Sequence, residues 1–230
     1  MAQFELSGVS LEVPDRLLTK RIRDRLETGK YEANEARAAQ LMIDYGDRVL
    51  ELGAGVGYVS TICAMLAGAG NVMSVEANPR LLNTVRTNLD RNDCEETVLL
   101  HGAVVGAKVK GDRVHLKDAH AFWASSLGGA EEEDTISVPA LVLGELLEVH
   151  KPTVVIMDVE GAEADLFDAA WPNFVRVVTV ELHPTRYPDT VIKRIFDGMS
   201  ASGLIYAPHL SRGALVGFCR QGQQLDASGM

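Results

Sequence analysis

Residues 49–60, VLELGAGVGYVS, decide how the rest of the chain is read. Val49, Leu50 and Leu52 mark a short buried strand with an acid, Glu51, near its end. Gly53, Gly55 and Gly57 follow at alternate positions, and from Tyr58 the apolar residues Ile62, Met65 and Leu66 take helical spacing. A glycine turn between a strand and a helix lets the backbone bend tightly and approach a ligand. A dinucleotide fingerprint, G-x-G-x-x-G, requires a third glycine where helix and strand pack closely. Counted from Gly53, that place holds Tyr58. Glu51 would also repel a pyrophosphate, whereas it suits a ligand with an ammonium group. S-adenosylmethionine has an ammonium and no phosphate, so the stretch favours a methyl donor over a dinucleotide.

The chain of 230 residues fits one domain of ordinary size, with 47% hydrophobic residues to build a core. Mean hydropathy is +0.04, and no apolar run approaches the ~18 residues of a membrane span. The opening MAQFELSGVSLEVPD lacks the basic-then-apolar layout of a signal peptide. Cys63, Cys94 and Cys219 are scattered without metal-ligand spacing, which leads to the expectation of a reduced, cytoplasmic compartment. A net charge of −10 disfavours nucleic acid as a partner. Arg16, Lys20, Arg21, Arg23, Arg25 and Lys30 form a local basic group, but Asp24 and Glu27 interrupt it, as on a solvated helix face. The expected partner is a small-molecule acceptor, with no membrane; nothing in the sequence sets an oligomeric state.

Outward from the glycine turn, apolar alternation over residues 3–13 predicts a hairpin. Pro14-Asp15 then opens a helix with Leu18, Ile22 and Leu26 on one face, and a second helix spans about 32–45. Residues 71–76 predict a strand closed by Glu76, placed to accept hydrogen bonds from both hydroxyls of a ribose. Asn78-Pro79 begins the next helix. A strand over 97–100 runs into Gly102 and Ala103, small enough for an adenine to lie against the backbone. Residues 106–138 form an irregular insertion near the site, with short strands over 113–117 and 121–124 and a polar loop carrying Ser125 and Ser126, two weaker substrate-contact candidates, and the acid run 131–134. Residues 140–149 read as helix and 153–157 as a strand buried on both faces. That strand delivers DVEGAE, residues 158–163, and a helix with Leu166, Phe167, Ala170 and Trp171 inward. A strand over 175–180 ends in Glu181-Leu182-His183-Pro184. A helix over 188–199 and an antiparallel pair over 204–207 and 214–219 complete the chain.

The division expected is 1–46, a hairpin and two helices; 47–220, the domain that binds the methyl donor; and 221–230, a frayed tail. Strands alternating with helices predict an α/β fold: a mostly parallel sheet with helices on both faces and ligands beyond the C-terminal strand ends. Glu51, Glu76, Gly102, Asp158, Glu160, Glu181 and His183 all fall at or near such ends.

With these motifs in place, the sequence resembles the FkbM family of S-adenosylmethionine-dependent methyltransferases. The matching segments are LELGAGVGYVS, VEANP, GAVVG, IMDVEGAEADLF and VELHP, which span roughly residues 31–185. The resemblance implies a Rossmann-like class I methyltransferase fold with a seven-stranded sheet whose last strand is antiparallel. Many members of that family methylate hydroxyl oxygens of small molecules, polyketides or sugars. Two positions depart from it: members commonly carry lysine where this chain has Ile156, and often asparagine where it has Gly55. The resemblance places Glu51, Gly53, Gly55, Gly57, Glu76 and Ala103 at the cofactor, and Asp158, Glu160 and Glu163 on the family's most characteristic motif. Ala54, Tyr58, Ala77, Asn78, Gly102 and Asp158 complete the expected cofactor contacts.

Methyl transfer from a sulfonium is an in-line displacement in which the protein aligns nucleophile, methyl and sulfur. An alcohol must also lose its proton, so a base is expected among Asp158, Glu160, Glu181 and His183. His183 has the unperturbed pKa closest to neutrality. Asp158, directly after an apolar run, is an expensive acid to bury without a task. A divalent cation held by Asp158, Glu181 and His183 is a less favoured alternative. The function expected is O-methylation of a small-molecule hydroxyl. An NAD-dependent oxidoreductase and a non-catalytic module binding S-adenosylmethionine or S-adenosylhomocysteine are the competing readings.

Overall fold

The computed structural model describes residues 1–117, 126–128 and 135–222. Alternating apolar residues form the hairpin of β1 (Ala2–Leu6) and β2 (Val9–Val13). A single 3₁₀ turn (Asp15–Leu17) stands where the sequence predicted the start of a helix. The helix α1 (Lys20–Glu27) begins later because Thr19 is extended and its hydroxyl oxygen accepts from the Ile22 N–H at 3.3 Å, capping there. Next come α2 (Ala33–Met42), β3 (Val49–Leu52), α3 (Tyr58–Ala67), β4 (Val72–Glu76), α4 (Leu82–Asp90) and β5 (Val98–His101). After β6 (Ala103–Val105), β7 (Arg113–Lys117), β8 (Ser126–Gly128) and β9 (Thr135–Val142), alternation resumes with α5 (Leu143–His150), β10 (Val154–Met157), β11 (Val177–Glu181), α6 (Asp189–Ala201), β12 (Leu204–Tyr206) and β13 (Leu215–Arg220).

The main sheet has seven strands in the order β12-β13-β11-β10-β3-β4-β5. All run parallel except β13, which pairs antiparallel with both neighbours. This is the Rossmann-like class I methyltransferase architecture expected from the sequence, down to the antiparallel strand. Successive residues of the central strands face opposite sides. Val49, Val154, Ile156 and Val177 join one core with the hairpin and α1 to α4, including Leu11, Leu26, Met42, Ile62 and Leu89. Leu50, Leu52, Val155, Met157, Val178 and Val180 join the other, with Leu146, Phe167, Trp171, Ile195 and Met199. No helix among the described residues is long and apolar enough to cross a membrane.

Two elements differ from expectation. Residues 140–149 are not one helix: Ala140, Leu141 and Val142 end β9, paired parallel with Ala103, Val104 and Val105, and only Leu143 onward is helical. The reason is upstream, where Ile136 and Val138 alternate against Leu116 in a second, four-stranded sheet ordered β6-β9-β7-β8. Pro139 stands where β9 passes from one partner to the other. The helix expected after DVEGAE is a single 3₁₀ turn, Ala162–Asp165. The Ala164 carbonyl, which a longer helix would use, accepts instead from the Arg194 guanidinium of α6. Pro172 also disfavours helical backbone at Trp171. Leu166, Phe167 and Trp171 are buried as expected, from irregular backbone, whereas Ala170, expected inward with them, is exposed because no helix carries it round. The strand proposed over 121–124, Ser125, the acid run 131–134 and most of the tail lie outside the described residues. Ser126 begins β8, its backbone paired with Lys117.

Besides its apolar face and the bonds of Asn92 to Ser10, the N-terminal hairpin is fastened to the core by a fully buried amide. Asn88 of α4 donates to the Val56 carbonyl at 2.8 Å and accepts from the Glu12 N–H at 2.7 Å. Replacing it by alanine leaves both backbone groups without that partner. Asn88→Ala is therefore expected to cost about 2–4 kcal/mol in urea denaturation, and wild-type stability would show that the amide does not fasten the hairpin.

Candidate active site

The ends of β3, β4 and β10 meet at Gly53. Its N–H donates to the Val75 carbonyl at 2.9 Å, and beside it the Asp158 N–H donates to the Leu52 carbonyl at 2.9 Å. At φ +94° a Cβ on Gly53 would lie 1.9 Å from the Asp158 carbonyl oxygen, so only glycine fits. Two residues on, a Cβ at Gly55 would lie 2.9 Å from Glu32 Oε1 and 3.0 Å from the Tyr31 hydroxyl. An asparagine here, as in the resembled family, would strike both.

Glu76 closes β4 and turns its carboxylate back over the loop. Oε2 accepts from the Gly55 N–H at 2.9 Å and Oε1 from the Asn78 N–H at 2.7 Å. Burial pushes its pKa up to about 7, although the backbone N–H donors at Asn78, Gly55, Ala54 and Ala77 pull the other way.

These groups line a cleft of about 300 Å³, within the range of small-molecule sites. Gly53, Gly55, Glu76, Ala77, Gly102 and Ala103 form one side of it, and Asp158, Glu160, Glu181 and His183 the other. Five residues expected at the cofactor do not line it. Ala54 is fully buried, Gly57 starts α3, and Tyr58 packs against Tyr31 with ring centroids 6.4 Å apart. Asn78 turns its side-chain oxygen to the Arg80 N–H at 3.0 Å. Glu51 is 1% exposed, beneath the loop rather than in the cleft.

The sequence reading missed a third wall, formed by Tyr31, Glu32, Asn34 and Glu35 at the start of α2, with Arg21, Ile22 and Arg25 of α1. Glu32 has a left-handed backbone, φ 43°, which no motif announces. Its carboxyl is driven well above the usual range by burial; the Tyr31 hydroxyl opposes this, and the nearby charges of Glu35, Glu51 and Glu181 add to it. Leu116 of β7 also reaches the cleft, so the insertion borders the site as expected.

At the opposite wall His183 follows β11 in a tight turn, where its N–H donates to the Tyr187 hydroxyl at 2.7 Å. Its Nε2 lies 3.6 Å from Asp158 Oδ1 and 3.5 Å from Glu160 Oε2, and its Nδ1 lies 3.0 Å from Glu163 Oε1. Burial works against the imidazolium, yet the Glu163 hydrogen bond and the charges of Glu163, Glu160 and Glu181 raise its pKa above the ordinary value. Burial raises Asp158 well above the carboxylate range, helped by the charge of Glu181 and a hydrogen bond to it. Glu160, in a left-handed conformation at φ 52°, accepts from Arg186 Nη2 at 3.1 Å. Oxygens of Asp158 and Glu160 and a ring nitrogen of His183 lie within 4.8 Å of one another, a spacing that can grip a cation. Glu160 stands in this trio where the sequence reading had Glu181.

Set beside known proteins, this architecture and site define a methyltransferase of the S-adenosylmethionine-dependent class. The TRM5/TYW2 methyltransferase domain model matches residues 25–139, half of the chain, and the chain belongs to that family. The match does not extend to the FkbM family that the sequence resembles; both are methyltransferase families, and the matched residues include the glycine loop and Glu76. Precorrin-6y C5,15-methyltransferase from Geobacter metallireducens GS-15 is similar in structure, with 15% identity, 92% of this chain and 94% of that one covered, and a TM-score of 0.50. TYW2 from M. jannaschii in complex with AdoMet has 13% identity, coverage of 95% and 85%, and a TM-score of 0.47. Magnesium protoporphyrin IX methyltransferase (ChlM) from Synechocystis PCC 6803 with bound SAM has 11% identity, coverage of 89% and 86%, and a TM-score of 0.49. None of the curated proteins compared matches the chain.

Glu51 generates a testable consequence. Its Oε2 accepts from the Ser60 hydroxyl at 2.5 Å, while burial raises its pKa to about 7 from 4.5. The folded state thus holds a proton that the unfolded chain releases, and stability falls as pH rises between those values. Glu51→Gln keeps an acceptor for Ser60 and removes the buried charge. At pH 8 the variant is expected to be more stable than wild type by up to about 3 kcal/mol, with equal stability near pH 4.5, in urea denaturation across that range. A variant no more stable at pH 8 would show that Glu51 is compensated when ionised.

Proposed function

We propose that the cleft holds S-adenosylmethionine with its ribose hydroxyls on Glu76, its adenine beside Gly102 and Ala103, and its methionine end over Gly53 and Gly55. The carboxylate of Glu76 is fixed by the backbone, with Gly55 N–H on Oε2 and Asn78 N–H on Oε1, and the residue lines the cleft, where ribose hydroxyls can donate to it. The unexpected wall at Glu32 gives the donor's ammonium a nearby acid, a role the sequence reading gave to Glu51. On this reading residues 47–220 carry the chemistry, and α1 with the turn into α2 walls the cleft beside them.

The acceptor is a small-molecule hydroxyl. His183 Nε2 takes its proton as the oxygen attacks the methyl carbon, and the carbon–sulfur bond breaks toward sulfur to give S-adenosylhomocysteine. The observation that carries this is His183 itself: an imidazole in the same cleft as Glu76, with Nε2 on the acid wall and Nδ1 engaged behind it. The likeness of DVEGAE and VELHP to the FkbM family supports an oxygen acceptor. A net charge of −10 and the cleft carboxylates weigh against a polyanion. Arg21 and Arg25 at the cleft favour a second reading, in which a nucleic-acid phosphate docks at α1.

Two measurements test these assignments. Titration calorimetry with S-adenosylmethionine should show Glu76→Ala weakened by about tenfold or more, as for loss of charge-assisted hydrogen bonds; undiminished affinity would remove the ribose assignment. Labelled methyl transfer to a panel of hydroxylated metabolites and to bulk RNA separates the acceptor classes. On the metabolite acceptor, His183→Ala should lower turnover by about 10²–10⁴-fold with donor affinity unchanged. Label in RNA alone would establish the second reading. Turnover lost to a chelator would assign activation of the hydroxyl to a metal.

A further inference from the structure

Glu163 is fully buried, does not itself line the cleft, and yet is aimed at the residue on which the proposed chemistry depends. Its Oε1 accepts from the Val159 N–H at 3.3 Å and lies 3.0 Å from His183 Nδ1. Its Oε2 has no hydrogen-bond partner among the described residues. A fully buried carboxylate with an idle oxygen is costly if its only task is packing. The strand–turn geometry explains how it arrives there. Gly161, at φ +105°, reverses the chain after Glu160, so that the 3₁₀ turn Ala162–Asp165 carries Glu163 back beneath His183. The backbone beneath the ring is fixed by the His183 main-chain N–H, which donates to the Tyr187 hydroxyl at 2.7 Å, and the ring stands between a buried acid at Nδ1 and the cleft acids at Nε2.

We propose that Glu163 is a positioning residue that fixes His183 as the Nδ1–H tautomer. This deepens the reading of His183 as the base and rests on it for its catalytic meaning. An oxygen that already accepts from a backbone N–H accepts again from Nδ1–H, and the Nε2 lone pair is left facing Asp158, Glu160 and the cleft. When Nε2 takes the hydroxyl proton, the ring becomes an imidazolium with Glu163 as its counter-charge. Neither Asp158 nor Glu160 does this, because both lie on the Nε2 side where the proton arrives.

The test needs no acceptor. Long-range proton–nitrogen correlation on the ¹⁵N-labelled protein reads which ring nitrogen carries the hydrogen in neutral His183, with His183→Gln to assign the signals. Wild type should show Nδ1–H. In Glu163→Ala the population should pass mainly to Nε2–H, the form with no partner required at Nδ1, while Glu163→Gln, which retains an acceptor oxygen, should restore Nδ1–H. Glu163→Met fills the same volume without an acceptor and replaces alanine in the comparison where the smaller side chain does not fold; affinity for S-adenosylmethionine reports folding in each variant. Nε2–H in wild type, or Nδ1–H persisting in the alanine or methionine variant, would overturn the proposal. With an acceptor in hand, Glu163→Gln should lower kcat and leave KM unchanged. If the tautomer shifts as expected but His183→Ala retains full turnover, the positioning stands and the base assignment fails.

Discussion

The Asp158 carbonyl reaches the Cα of Gly53 so closely that no side chain fits between them. That contact brings the end of β10 onto the glycine loop, and the Gly53 N–H ties the same point to β4. Three strand ends thereby share one place, and everything the site contains is hung from them: Glu76 from the second, Asp158 and the DVEGAE turn from the third. Cleft walls built on separate loops would each need ordering against the other. Here the parallel registers of Leu52 with Val75 and with Met157 set their separation before any side chain is considered. Preorganisation of this kind is what an in-line transfer asks of a protein, since the sulfonium brings its own reactivity.

The central strands were legible because they are apolar runs buried on both faces, and their ends were legible because charged residues interrupt those runs abruptly. Glu76, Asp158, Glu160, Glu181 and His183 were all found in this way, and the cleft gathers every one of them. Glu51 was read from the same interruption, but it lies within β3 rather than beyond its end, and its side chain falls on the face that packs against α3, where Ser60 donates to it. What the sequence concealed came from elements without periodicity. Tyr31 and Glu32 lie in a turn, and a left-handed glutamate resembles any other glutamate until its backbone is seen. The 3₁₀ turn after DVEGAE has the apolar spacing of a helix and is prevented from becoming one by Arg194, some thirty residues away in α6. Residues 140–142 read as the start of a helix because their strand partner, β6, lies some forty residues away, and pairing between distant segments leaves little mark on either.

Glu51 also shows how a departure from a resembled pattern has local consequences. In register across the sheet it is flanked by Ser74 on one side and Ile156 on the other. Ile156 occupies the position where the FkbM family commonly carries lysine. With an aliphatic neighbour, the buried acid has hydroxyl donors and no cation beside it in the sheet, and its raised pKa follows.

The four-stranded sheet has a place in the molecule that bears on what a change in it would do to the cleft. It is attached at β6, which leaves the main sheet through Gly102, and at Gly106, whose backbone lies against the Asp165 carbonyl where a Cβ would come within 2.1 Å. Between those anchors and α5 the chain passes through β7, β8 and β9 without contributing a strand to the main sheet. A segment attached in this way reaches the cleft through Leu116, whereas Glu76 and Asp158 stand at the ends of main-sheet strands. A change of length or sequence in β7 and β8 would therefore reshape one part of the cleft and leave untouched the parallel registers that place those two acids.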